Sequence, residues 1–470
     1  MERFNLPRDA DKNQFAEEDV MREHDHSKAT RRRLLQAGAS AAALSAMPGL
    51  GVLTAQAQGG FDWKRYKGEK IEVFLVKSPR GDLLTKYHKE FEDLTGIEVG
   101  SEMVPEQQQR QKAVIEFNSG NPSFDVIALS YHVQKRQFAK NNWLIDLRPM
   151  INDKSSANPD LDFADFAQGG LSYAVEPDGR VLSLPLNLDP WVVYYNKELL
   201  DAKNVAYPKN FVEMIDAAGK LNDPSKGVAG FVARGLKNAN VPVWSSFLLG
   251  YGGTFIDSKG KLATDSPEAI EAGKMYQTLL AKYGPPGVAG FNWNEAQSLF
   301  LQGKAAMWLD GIGFAQPLED ATKSRIVGKV GYGVMPAGPK AQVSALFGDG
   351  EGISTYSKKK GPAWYYLQWA SNNANQTRML KAAAGAPVRK SAYDAAKASS
   401  DFKAPKQWVE CMLKSVSIAQ PGLPVISPVT EFRDVFGVAL TNMINGADPA
   451  TELKKATAEF QAVLDKSEKG

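Results

Sequence analysis

The sequence predicts an α/β protein whose folded part opens as a doubly wound sheet. Three observations carry that prediction. From Lys70 onward, strand-like apolar runs alternate with amphipathic helical stretches; Ser-Pro pairs and glycines punctuate them; and a composition of 43% apolar and 23% charged residues over 470 positions suits a globular chain with more than one core.

The elements follow in order. "KIEVFLV" reads as a strand, and Ser78-Pro79 supplies the cap and first-turn proline of a helix with Leu83, Leu84, Tyr87, Phe91 and Leu94 on one face. Gly96 stops that helix and "IEV" starts a second strand. "PEQQQRQKAVIEFNSG" is a second helix and "FDVIALS" a third strand, completing a βαβαβ unit. Ligands of such sheets bind beyond the carboxyl ends of the strands, where Lys77, Ser78, Ser130 and Tyr131 fall and toward which Gln108 and Arg110 begin their helix. "LPLNLDPWVVYYNKELL" (184–200) is strand-like, and alternation puts Asp189 and Trp191 on one face. Helices follow over "FVEMIDAAGKL", "VPVWSSFLLGYGG", "SPEAIEAGKMYQTLLAKYG" and "NWNEAQSLFLQG", with strands at "GVAGFVAR" and "KAAMWLD". "GKVGYGVMP" and "EGISTY" read as strands, "FGDGEG" as a turn, "GPAWYYLQWASN" as a core helix, and the tail from Pro428 as helical.

Charge and composition exclude several functions. Fifty-six basic and 53 acidic residues leave +3, which gives no footprint for nucleic acid and points to a nearly neutral ligand. Four histidines, two of them at positions 24 and 26, and a single cysteine, Cys411, leave almost nothing for a metal centre or cysteine nucleophile, so no cofactor and no metal are expected. No G-x-S-x-G, H-E-x-x-H, Walker loop or CxxC is present, and "DLDFAD" puts Ala164 where a calcium loop needs an oxygen.

The first 57 residues read as a targeting segment. "TRRRLLQ" precedes an Ala/Gly/Leu-rich run ending at Ala55-Gln56-Ala57, a small-x-small cleavage site. It looks like a twin-arginine export signal with Arg31 and Arg32 as the pair, so the translocase is an expected partner and the periplasm the expected location. Cleavage after Ala57 leaves 413 residues and, since eight acids and eight bases leave with the signal, the same +3.

Seven stretches, in order and spacing, then resemble a known family: "FEDLTGIEV", "NPSFDVIALS" with "FAKNNWLIDL", "LPLNLDPWVVYYNKELL", "GYGGTFID", "FLQGKAAMWLDG", "ISTYSKKKGPAWYYLQWASN" and "GAPVRKSAY". They resemble the extracellular solute-binding proteins, family 1, of ABC transporters, the maltodextrin-binding-like sugar receptors. The resemblance implies a two-lobe periplasmic-binding-protein fold of type II, each lobe a doubly wound mixed sheet with flanking helices, closing on ligand at a hinge cleft. It implies lobe 1 over 69–187 plus 311–378 and lobe 2 over 188–310 plus 379–470, with the 184–200 stretch as first crossing and "KAAMWLDG" as second. It implies a monomer that hands a sugar or sugar alcohol to permease subunits in the inner membrane. Region 229–320 looks most like members taking monosaccharides, short oligosaccharides or sugar alcohols.

A sugar offers hydroxyl rims and apolar C–H faces, so its pocket needs aromatic planes and a few fixed polar groups. Asp189 occupies the position where family members present an acid to sugar hydroxyls, and a carboxylate can accept from two vicinal hydroxyls at once. Trp191, Trp244 and Trp293 are candidate stacking planes, Asp310 with Gly311 and Gly348 with Asp349 candidate polar corners, and Arg234 and Arg389 candidate donors. The alternatives left open are another solute on the same fold, such as a polyamine, phosphodiester or ferric ion, and a glycoside hydrolase using Asp189 and Asp310 as its acid pair.

Overall fold

A computed structural model describes residues 60–176, 178–397 and 405–467; the export signal expected over 1–57 lies outside the described residues. Strand β1 (Lys70–Val76) pairs in parallel with β2 (Glu98–Val104) on one side and β3 (Val126–Ser130) on the other. Helix α1 (Pro79–Thr95) joins the first two strands. It starts where the Ser78 side chain accepts from the Gly81 N–H, and it stops at Gly96, whose φ of 73° is open to glycine at little cost. Helix α2 (Glu106–Ser119) returns to β3, whose end opens directly into α3 (Tyr131–Lys140). The predicted βαβαβ unit is thus present.

The centre of the molecule is β4 (Leu184–Asn196), thirteen residues of unbroken strand. Leu184–Pro190 pairs antiparallel with β8 (Ser344–Ile353), while Trp191–Asn196 pairs with β6 (Ala305–Gly311) and β7 (Val330–Gly333). Pro190, which has no N–H to give, sits where one set of partners hands over to the other. Strand β5 (Ala229–Val232) lies parallel to β6, β9 (Ala386–Pro387) pairs with Asn187 and Leu188, and β10 (Ala419–Pro421) with β8. The described strands run β2-β1-β3-β8-β4-β6-β5, with the short ones added at β4 and β8.

One expectation fails here. "FGDGEG" is not a turn but the middle of β8, held on one side by β3 and on the other by β4. The glycines leave the strand's face bare where neighbours press in: a Cβ at Gly350 would sit 2.7 Å from the Leu184 carbonyl oxygen and closer still to the Tyr131 hydroxyl.

Two hydrophobic clusters flank the sheet. One gathers β1 and β3 with Phe91, Phe117 and the helix Lys360–Ala370, whose Trp364, Tyr365, Tyr366 and Trp369 are all buried as their spacing predicts. The other packs β5 and β6 against Trp244, Phe432, Phe436 and Phe460 of the following and C-terminal helices. No helix of the described residues is long and apolar enough to cross a membrane. Gly350→Ala is expected to lower stability by about 1–3 kcal/mol, the usual cost of overpacking, because the Leu184 backbone cannot retreat without breaking the β4–β8 ladder; chemical denaturation of the variant measures it.

Candidate functional site

The β4 changeover, the ends of β1 and β3, and the start of helix Val429–Ile444 enclose a cavity of about 80 Å³. Its acid is Asp189. Its Oδ1 accepts from the Gly313 N–H at 3.0 Å, and the bare Cα of Gly311 gives it room: a Cβ there would lie 2.6 Å from the Asp189 Cγ. Burial pushes the Asp189 carboxyl up to about 6, with Arg80 opposing. Arg80, in the first turn of α1, donates from Nη2 to Asp349 Oδ2 at 2.8 Å, leaving Nη1 without a partner.

At the start of α2, Arg110 reaches Glu106 at 2.5 Å and donates to Ser130 Oγ at 3.0 Å; its Nε and Nη1 are buried without partners. Burial alone would raise Glu106, but Arg110, Arg234 and Arg433 outweigh it and hold the carboxyl down at about 2. Arg234 follows β5 and forks onto the buried Asp310, Nε to Oδ2 at 2.9 Å and Nη2 to Oδ1. Its guanidinium lies 5.0 Å from the Trp191 ring centre and 5.6 Å from that of Phe314, which stacks on Trp293 at 4.9 Å. Phe347 completes the aromatic wall, 5.2 Å from Trp191 and 4.9 Å from His132, whose pKa is driven well down, by burial first and the surrounding arginines second. Below them Glu351 is buried with neither oxygen bonded, and burial pushes it up to about 8.

The site is thus a small cavity with several acids, an aromatic wall and fixed guanidinium donors, which is the chemistry of reversible capture of a hydroxylated solute. Residues 77–377 match the family of bacterial extracellular solute-binding proteins. The chain belongs to that family. Among relatives of this solute-binding protein, an erythritol/L-threitol-binding protein of Mycolicibacterium smegmatis is 26% identical, the match covering 91% of this chain and 95% of the relative. A mannitol-binding protein of Pseudomonas aeruginosa is 23% identical, with 74% of this chain and 83% of the relative covered. Among solved structures, an ABC transporter solute-binding protein of Agrobacterium radiobacter K84 in complex with ribitol superposes with a TM-score of 0.77 at 26% identity, over 84% of this chain and 99% of that one. The fold is therefore the type II two-lobe α/β fold expected from the sequence.

In this solute-binding protein, Ser78, Arg110, Ser130, Asp189, Trp191, Arg234, Trp293, Gly348 and Asp349 all line the one cavity. The remaining predicted residues lie elsewhere. Trp244 is buried in the second cluster, stacked on Phe436 with Nε1 given to the Ala269 carbonyl, because its helix is buried on every side. Arg389 donates to the carbonyls of Ser371 and Leu161 and ties chain segments together instead of facing the cavity. Tyr131 stacks on Tyr173 and bonds Ser183, behind the wall. Gln108 is exposed; its neighbour Gln109 points inward, to the Ala128 carbonyl. Asp310 and Gly311 stand behind the lining, as the counter-charge of Arg234 and the space for Asp189. Asp310, offered as the partner of Asp189 in a glycoside hydrolase pair, is held by Arg234 and the Gly311 N–H and does not line the cavity with Asp189.

Sequence reasoning missed Arg80, Glu106, His132, Phe347, Glu351 and Arg433. Two left a signal. Arg80 is a cation in the first turn of a helix, where the dipole disfavours it, and Phe347-Asp349-Glu351 alternate as one face of a strand. Glu351 yields a pH test. Its ordinary value is 4.5, so as pH rises from there toward 8 the unfolded chain sheds a proton the native state keeps, and stability falls through that window. Glu351→Gln is expected to be more stable than the natural protein by about 3 kcal/mol at pH 7, from 1.36 kcal/mol per pKa unit, with the gap closing by pH 4; urea denaturation at both values checks it.

Proposed function

We propose that this chain is the periplasmic substrate-binding component of an ABC importer, capturing one sugar or sugar alcohol in the cavity and delivering it to inner-membrane permease subunits. The observation that carries the reading is Asp189, held at the β4 changeover by the Gly313 N–H in a cavity it shares with an aromatic wall. A carboxylate fixed in this way takes two hydroxyl hydrogens, while Trp191, Phe347 and Trp293 meet the C–H face. The chamber's size argues for a single small ligand. At roughly 10–15 Å³ per water-sized group, about 80 Å³ holds about six such groups, far less than an oligosaccharide needs.

The proposed lobe boundaries are those read from the sequence, 187/188 and 310/311, beside Pro190 in β4 and Gly311 at the end of β6; because β7 pairs with the second half of β4 and β9 with the first, we assign β7 to lobe 2 and β9 to lobe 1, in place of the sequence assignment of 311–378 and 379–470. Ligand touching both lobes stabilises the closed form, and the permease reads that form, so capture is a shift of population set by differential affinity. The chain works as a monomer without catalysis. The twin-arginine segment sends it to the periplasm through the translocase and is removed near Ala57.

The test is a calorimetric and thermal-shift series with tetritols, pentitols, hexitols, hexoses and maltose. A ligand at about 100 times its Kd adds about 2.7 kcal/mol, a readable rise in melting temperature, and the response is expected from one class of small polyol or monosaccharide. Asp189→Ala is expected to weaken binding by about 1.5–3 kcal/mol, the worth of a charged hydrogen bond. Unchanged affinity would remove Asp189 from the site, and silence across neutral and anionic carbohydrates alike would remove the function.

A further inference from the structure

The charges of the cavity are unevenly paired. Arg80 has Asp349 and Arg234 has Asp310, each a one-to-one pair. At the remaining end, Arg110 and Arg433 share the single carboxylate of Glu106. Arg433 is 3% exposed, donates Nε to the Asn238 carbonyl at 3.1 Å, and has no carboxylate within ion-pair distance among the described residues. The neighbouring Asp434 faces Asn238 and Lys237 instead. Arg433 is therefore buried here with no ion-pair partner of its own, an arrangement that is costly at a buried site. In accord with this, burial, reinforced by Arg110 and Arg234, pushes Arg433 down to about 9.

The hydrogen-bond ledger leans the same way. The unpartnered buried nitrogens of the lining are Arg80 Nη1, Arg110 Nε and Nη1, and His132 Nδ1. Three of the four are obligate donors, so unpartnered N–H groups outnumber unpartnered nitrogen acceptors at this end, where Ser130 Oγ and one Glu106 oxygen already take Arg110. A carboxylate or phosphate brings lone pairs only and can meet several of these donors at once, whereas a neutral hydroxyl brings one oxygen and a hydrogen of its own. Asp189 is held beside Gly311 and Gly313, whereas Arg433 is held by the Asn238 carbonyl, so the acid and the cation are anchored on different segments of the lining.

We infer that the solute carries an anionic group, a carboxylate or a phosphate, seated between Arg110 and Arg433 beside His132, while its hydroxyl-bearing end reaches Asp189. This rests on the solute-receptor reading above and narrows it to sugar acids or phosphorylated polyols.

The test is isothermal titration of the purified protein with matched sets of four, five and six carbons: the neutral alditol, its aldonate and its terminal phosphate. In at least one set the anion is expected to bind about 30-fold tighter than the neutral alditol, within the range of a hydrogen bond to a charged group. The aldonate and phosphate arms separate the two sources of negative charge. Arg433→Gln is expected to cost the anion about 10- to 100-fold in affinity and to shrink its margin over the alditol; if that variant does not fold, Arg433→Lys, which keeps the charge and loses the fork, is expected to retain part of the margin. Neutral alditols binding as tightly as every anion would overturn this inference and leave the receptor reading intact. If neither these ligands nor the wider carbohydrate series bind, both fall.

Discussion

Strand β4 is the constraint on which the rest of the molecule depends. Its thirteen residues, nearly all buried, carry backbone groups that must each find a partner, and they find them in four different strands, β6, β7, β8 and β9. Because the partners change at Pro190, the same strand belongs to both halves of the sheet, and Asp189 and Trp191 stand on either side of the changeover. The cavity forms where the ladder changes hands. Strands β6 and β8 are pinned by the same pairing, which fixes Gly311 beside the Asp189 carboxylate and Phe347 beside the Trp191 ring.

The second organising feature is how the chamber keeps charge in a dry place. Each guanidinium is oriented by protein before any ligand arrives: Arg80 by Asp349, Arg110 by Glu106 and Ser130, Arg234 by Asp310. Such pairs add little to stability, since desolvation offsets most of their attraction, but they hold donors at set positions and spare the ligand the cost of ordering them. Asp310 illustrates the division of labour. It touches no cavity space, yet Arg234 could not lie over Trp191 without it.

Much of the fold was legible because its signals are local. Ser78-Pro79 and Gly96 bracket α1, Asn210 caps the helix over "FVEMIDAAGKL", and Ser266-Pro267 opens the next but one, all from side chains acting within four residues. "FGDGEG" misleads for the opposite reason. Its glycines carry the local signature of a turn, and only the presence of β3 and β4 on both flanks makes it a strand. The tryptophans divide in the same way: Trp364 and Trp369 sit in a helix whose composition already says core, whereas Trp191, Trp244 and Trp293 occupy contexts that suit stacking or packing equally, and the fold alone sends Trp244 inward.

By itself the sequence determined the α/β class, the order of elements, the family and the position of the acid at the crossing strand, because each is written in spacing, capping and composition along a short length of chain. The tertiary structure decided which charges meet. Arg80, Arg110, Arg234 and Arg433 come from four separate segments, and whether each finds a carboxylate depends on distances set by packing. A net charge of +3 over the whole chain gives no sign of an unpaired guanidinium in the cavity, since charge neutrality is a property of a sum and recognition is a property of a place.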